Sequence, residues 1–228
     1  MKLNFNKTDF RKLSLFIILI ILIIVFWNTF PLFPVKLFVV LLHEISHGIA
    51  AVITGGGISS ISVTLDEGGM CYTYGGSQFL ILSAGYLGSM LWGGLILLLS
   101  SRYNFDRQLA GIIGVLLFIT GIIYVSNFTG KIFTLGFSAL LIFSGYKAPD
   151  MFNDIILKIF GLTSMLYALI DILSDAVFRT SPESDASRLG ELYFGNSIFW
   201  GLLWVSAGIY FFIKFLFISS EKKEMKKF

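Results

Sequence analysis

Charged residues and cysteines are scarce in this chain. Asp, Glu, Lys and Arg make up 14% of its 228 residues, whereas soluble globular domains carry about 25%. Hydrophobic residues account for 56% of the chain, so the composition argues against an ordinary soluble protein. The single cysteine, Cys71, excludes an intrachain disulfide and a zinc site built from several thiolates.

Long apolar runs fill most of the chain. Six of them reach the length needed to cross the hydrocarbon core, and a shorter run lies at residues 133–145. The six are at residues 13–30, 35–54, 79–99, 109–125, 155–176 and 197–218. We therefore predict an all-α polytopic membrane protein with six or seven transmembrane helices, in which residues 1–228 form one integral membrane domain in the lipid bilayer.

Basic residues are concentrated at the two ends of the chain, within residues 2–12 and 222–227. Such ends are typical of cytoplasmic anchors beside anionic lipid. No basic motif is interleaved with stacking aromatics, so nucleic acid is not an expected partner. Seven complete crossings would separate the two basic ends, so either residues 133–145 do not cross completely or one end departs from the positive-inside bias.

Both histidines of the chain lie in one motif, His43-Glu44-Ile45-Ser46-His47, inside the second apolar run. Positions i and i+4 share one face of a helix, so the two imidazoles could bind one Zn²⁺ ion with Glu44 beside it. A catalytic zinc site keeps one position open for water, and Glu44 would act as the general base toward that water. A hydrogen-bonded histidine pair in a packed helix is the structural alternative.

A catalytic zinc ion normally has three protein ligands, and the chain has no third histidine. An acidic side chain inside an apolar run is costly unless it is paired or binds a metal, which makes Asp171 the best candidate. If the segments alternate in direction, Asp171 and the motif lie at similar depths. Asp175, one turn further on, and Asp185, in a predicted solvated loop, are the alternatives.

Residues 55–77 differ from the apolar runs around them. Glycines flank short stretches in which β-branched and small polar residues alternate, which predicts strands or a re-entrant segment. A strand edge cannot face lipid unpaired, so this segment should line a watery cavity or lie at the membrane surface. We expect Gly68 and Gly69 to belong to an edge on which an extended substrate adds as a strand. Asn127, after a later apolar run, either contacts substrate or caps a helix.

The motif and its surroundings resemble the site-2 protease family of intramembrane zinc metalloproteases, in particular its compact bacterial-type branch. The resemblance is carried by the zinc motif in an apolar helix, by the glycine-rich segment after it and by an aspartate in a late apolar helix. Gly85-Tyr86-Leu87-Gly88 and Ser184-Asp185-Ala186 are similar to recurring pieces of that branch.

The resemblance implies that His43, His47 and Asp171 bind Zn²⁺ and that Glu44 is catalytic. The aspartate of the family is commonly followed by glycine, whereas Ile172 follows Asp171 in this chain. The expected function is hydrolysis of peptide bonds in membrane proteins or peptides, by a multi-pass protein of the bacterial cell membrane. The alternative is a non-catalytic membrane protein that binds metal or holds substrates without cutting them.

Overall fold

The structure is a computed structural model that describes residues 8–175 and 184–221. Within these residues the chain forms eight helices and one antiparallel pair of strands. In chain order they are α1 (Phe10–Val25), α2 (Phe33–Ile53), β1 (Gly57–Val63), β2 (Gly69–Tyr74), α3 (Gln78–Arg102), α4 (Asp106–Ile123), α5 (Phe128–Lys147), α6 (Asp150–Leu173), α7 (Asp185–Leu192) and α8 (Ser197–Ser220). The predicted all-α polytopic fold, with a short β segment after the motif helix, is confirmed.

Six of the described helices are long and apolar enough to cross a membrane, namely α2, α3, α4, α5, α6 and α8. Residues 133–145 belong to the 20-residue helix α5 and therefore count among the crossings. The shorter element is α1, whose 16 residues rise about 24 Å, less than the roughly 30 Å of a hydrocarbon core. After residues 26–32, Pro34 in the first turn favours the start of α2.

The two ends of the described chain lie side by side. The backbone N–H of Asp9 donates to the carbonyl of Ser220 at 2.8 Å, and Thr8 forms a bridge with Glu221. Six crossings return the chain to the side on which it starts, so one positive-inside bias can apply to both ends. The terminal lysines lie outside the described residues, and their role as anchors stays a prediction.

Helix α3 runs through the centre of the bundle and packs closely against α6. A Cβ atom built on Gly161 would lie 2.7 Å from the backbone oxygen of Gly93 and 2.9 Å from the backbone nitrogen of Leu97. Two helix backbones can approach this closely only when both positions lack side chains. The contact draws the carboxyl-terminal half of α6 towards α2, which α3 also contacts.

One edge of the hairpin of β1 and β2 is hydrogen-bonded to another segment of the chain. The N–H of Ile61 donates to the carbonyl of Tyr124 at 2.8 Å, and the N–H of Ser126 donates to the carbonyl of Ile61 at 2.9 Å. The side chain of Asn127 continues this edge, since its Nδ2 donates to the carbonyl of Val63 and its Oδ1 accepts from the N–H of Val63. The outer edge of β1 is therefore occupied, and β2 packs against α2.

We expect Gly161→Ala to destabilise the bundle, because the added methyl group would meet the backbone of α3. Overpacking of this kind costs about 1–3 kcal/mol. Gly136→Ala in α5 is the matched control, since a Cβ built there meets nothing within 4 Å and alanine favours a helix by up to about 1 kcal/mol. Thermal unfolding in detergent measures both. Equal melting temperatures for the two variants would contradict the close α3–α6 contact.

Candidate metal centre

The imidazoles of His43 and His47 lie on the face of α2 that contacts α3. Their ring centroids are 4.8 Å apart, as expected for residues one helical turn apart. The Nδ1 of His47 lies 2.7 Å from the carbonyl oxygen of Ile81. This carbonyl accepts the ring proton, which leaves Nε2 of His47 free to bind a metal.

Asp185 lies between the two imidazoles. Its Oδ2 is 3.3 Å from Nε2 of His43 and 3.2 Å from Nε2 of His47. It is the first residue of α7, and Ser184 caps that helix by accepting the N–H of Ser187. Burial alone would raise the pKa of Asp185, but His47 and His43 beside its carboxylate hold that pKa well below its usual range. The carboxylate is therefore available in its charged form.

Asp171, the ligand expected from the sequence, lies on the other side of His43. Its Oδ2 is 3.9 Å from Nδ1 of His43, the ring nitrogen that faces away from Asp185. Asp175 accepts a hydrogen bond of 2.9 Å from the hydroxyl of Tyr86, and the ring of Tyr86 meets His43 edge-on. Asp171 thus lies on the Nδ1 side of His43 and Asp175 is linked to the same ring through Tyr86, while Asp185 faces the Nε2 atoms.

The three facing atoms fit the geometry of zinc. Zinc binds histidine nitrogen and carboxylate oxygen at about 2.0–2.2 Å in a tetrahedron, so neighbouring ligand atoms lie roughly 3.3–3.5 Å apart. The separations of Asp185 Oδ2 from the Nε2 atoms of His43 and His47 are close to this value. The ligand atoms of His43, Glu44 and His47 also lie within 4.8 Å of one another. Two imidazoles with carboxylates are a donor set that zinc prefers.

Glu44 lies on the α2 face that meets the hairpin. Its carboxylate accepts a hydrogen bond from the backbone of Cys71, and Gly69 packs against its side chain so closely that a Cβ atom there would clash. Glu44 is buried, as the sequence predicted for a residue inside an apolar helix. Burial, with the Glu44 carboxylate nearby, raises the pKa of the Cys71 thiol to about 12.

The cavity around these residues has a volume of about 570 Å³. One wall is formed by α2, another by β2, and the others by α6, α7 and the start of α3. Gly68 and Gly69 both line it, as expected for a substrate edge, whereas Asn127 is not among its lining residues. Both polar atoms of the Asn127 side chain bond to β1 instead. A substrate role for these three residues stays a prediction.

Sequence reasoning placed Asp185 behind Asp171 as a candidate ligand, because Asp185 lies outside the long apolar runs. The sequence pattern that points to Asp185 involves only its immediate neighbours. Ser184 followed by Asp185 is a helix N-cap pattern, and the eight residues of α7 carry Ala186 and Leu189 into a buried cluster with Trp200 of α8. A short helix anchored in this way can hold its first carboxylate in the bundle.

We expect Gly85→Ala to weaken metal retention, because a Cβ at this position of α3 would meet both imidazoles, 2.6 Å from Cε1 of His47. Gly88→Ala, one turn along the same helix, would instead meet Ser46. Zinc content after dialysis against a weak chelator should fall at least about tenfold for Gly85→Ala and much less for Gly88→Ala. Equal zinc retention would show that the imidazoles do not meet at Gly85.

The comparison with known families gives one match. Residues 16–215 match the sequence model described as Peptidase M50B-like, which covers most of the chain and all of the residues of the candidate metal centre. Comparisons with curated proteins and with solved structures gave no match. With its six apolar crossing helices, the chain is an integral multi-pass membrane protein. It belongs to the Peptidase M50B-like family, and thereby to the site-2 protease family of membrane metalloproteases.

Proposed function

We propose that this protein is a zinc-dependent intramembrane endopeptidase. The observation that carries the proposal is the meeting of two α2 imidazoles and a carboxylate at ligand-to-ligand distances suited to zinc, with Glu44 beside them in a cavity. When bound there, Zn²⁺ would polarise the substrate carbonyl and make a water molecule more acidic. Membership of a peptidase family supports the same reaction class.

Glu44 would serve as the general base. It lies next to the two histidines in sequence, and the Cys71 backbone holds its carboxylate towards the cavity. A carboxylate in this position can take a proton from the attacking water and pass it to the leaving amine. The buried surroundings of Glu44 exclude bulk water, which strengthens its interaction with charge that develops nearby.

The edge of β2 that faces away from β1 is the proposed platform for substrate. Ile61 and Val63 of β1 direct their backbone groups away from β2, so their partners Cys71 and Gly69 must direct theirs away from β1. That direction leads to α2 and the cavity. A substrate unwound into an extended chain could pair with this edge near Glu44, where Gly68 and Gly69 line the cavity.

For the third ligand, the distances favour Asp185 over Asp171. Asp185 faces the same Nε2 side of both imidazoles, whereas Asp171 faces Nδ1 of His43. We propose that Asp185 completes the zinc site and that Asp171 orients the His43 ring from behind, as carboxylates commonly do for metal-bound histidines. Asp171 as a direct ligand stays a prediction from the sequence.

Glu44→Gln tests the role of the base. The amide cannot accept the proton of water, so we expect cleavage to fall by about 10²–10⁴-fold while zinc content stays near one per chain. Suitable probes are fluorescein-labelled casein and a quenched-fluorescent leucine–alanine transmembrane peptide in detergent. Zinc bound by the wild-type protein with no cleavage of either probe would favour the non-catalytic, substrate-holding alternative. Normal cleavage by Glu44→Gln would contradict the mechanism.

Two substitutions distinguish the direct zinc ligand from the carboxylate that only orients His43. They are Asp185→Asn and Asp171→Asn. We expect Asp171→Asn to lower zinc affinity by about 10–100-fold or less and Asp185→Asn to lower it further, because a direct bond is lost. Asp150→Asn is the control, since Asp150 is exposed at the far end of α6. Competition with a fluorescent zinc chelator measures all three. If Asp171→Asn loses more zinc than Asp185→Asn, the assignment is reversed.

A further inference from the structure

One stripe of α2 follows the hairpin along its length. Every fourth residue from Lys36 to Gly48 contacts it. Lys36 forms an ion pair with Glu67 in the turn between the strands, and Val40 meets Gly69. The last two contacts on this stripe are Glu44 with Gly69 and the Cys71 backbone, and Gly48 with the Ile58 and Cys71 side chains.

The repeats of the two elements match in length. Four residues of an α-helix rise about 6.0 Å, and two residues of a strand rise about 6.6 Å. The step from Val40 to Glu44 on the helix therefore keeps pace with the step from Gly69 to Cys71 on the strand, and Glu67, in the turn just before Gly69, meets Lys36. Each contact on the stripe thus depends on the same relative position of α2 and the hairpin.

The Lys36–Glu67 ion pair and the hydrogen bond from the Cys71 backbone to Glu44 are the directional contacts in this series. The Lys36 side chain is 6% exposed and belongs to the first turn of an apolar helix, where an ammonium group must be paired. Its Nζ also lies 5.7 Å from the centre of the Trp27 ring. Glu67 has a φ of 65°, a left-handed conformation that non-glycine residues rarely adopt. A residue keeps such a conformation where its surroundings hold it.

We propose that Lys36 and Glu67 are positioning residues whose ion pair fixes the hairpin in register along α2, and so places Gly69 and Cys71 beside the proposed base Glu44. The effect on cleavage rests on the proposed function. The effect on hairpin position does not. Apolar contacts such as Val40 with Gly69 resist sliding only weakly, whereas an ion pair with one buried partner has a single favourable register.

A displacement of the hairpin along α2 would disturb Glu44, because Gly69 would no longer lie beside it. A shift of the strand by two residues would put Glu67 or Cys71 at the place where Glu44 now meets a residue without a side chain. Either side chain would displace the Glu44 carboxylate, since even one carbon atom at Gly69 would clash with it. The ion pair therefore influences the position of the Glu44 carboxylate through Gly69, which lies two positions after Glu67. It does so without contacting the imidazoles.

The first test measures cleavage. Lys36→Met and Glu67→Gln should each lower kcat for the casein probe by roughly tenfold or more, because small displacements of a catalytic group have large effects on rate, while zinc content is unchanged. The charge exchange Lys36→Glu with Glu67→Lys should recover part of the loss. Lys158→Met is the matched control, since Lys158 is also a buried lysine paired with an acidic side chain, Asp154 of α6. Neither Lys158 nor Asp154 lines the cavity, whereas Glu67 does.

The second test does not need cleavage. Cys71 is the only cysteine, its side chain packs against Gly48, and it should react slowly with a maleimide. Release of the hairpin in Lys36→Met or Glu67→Gln should raise the labelling rate several-fold, with partial return in the charge exchange and no change in Lys158→Met. Wild-type rates of labelling and cleavage in folded single variants would overturn the proposal. A melting temperature and zinc content that fall together would also overturn it, since they indicate a general loss of stability.

If the wild-type protein cleaves neither probe, the proposed protease function fails, and the labelling rates alone decide on the ion pair. If the wild-type protein cleaves and the single variants cleave equally well, only the ion-pair proposal fails.

Discussion

The approach of α2 to α3 at Gly85 is the contact on which the candidate metal centre depends. Both imidazoles occupy the space that any side chain at this position would fill. The preceding turn of α3 provides the Ile81 carbonyl that orients His47. Two polar rings in an apolar bundle are stable only if their nitrogen atoms find partners. Backbone groups and carboxylates from α3, α6 and α7 supply those partners, so the helices are arranged around the rings.

The histidines and the glutamate of the site could be predicted from the sequence because they lie within five consecutive residues. Two histidines one helical turn apart with a glutamate between them define a face of one helix, and no knowledge of the fold is needed to see it. The apolar runs likewise identify the crossings, since their length is set by the bilayer. Even the strands after α2 could be predicted, because glycine and alternating residues act over a few positions.

Features that depend on long-range packing could not be read in this way. Asp171 lies near the end of α6 and Asp185 begins α7. Which of the two carboxylates faces Nε2 depends on how these helices pack beside α2. The same is true of Asn127. Its position at the start of α5 could be predicted, but its bonds to Val63 arise from the approach of distant segments. Residues 13–30 were predicted to cross the membrane, but α1 ends at Val25 and has only 16 residues, although the apolar residues continue to Phe30.

The pairing of Asp9 with Ser220 joins the first and last described segments by backbone hydrogen bonds. The same segments approach Ser101 and Arg102 at the end of α3, while the metal centre lies near its beginning, roughly 25–30 Å away along the helix axis. A tag joined directly to Thr8 or Glu221 would therefore lie on the face remote from the candidate metal centre. A flexible peptide that connects Thr8 to Glu221, in place of residues 1–7 and 222–228, would close the described chain into a ring on that same face and leave the cavity open.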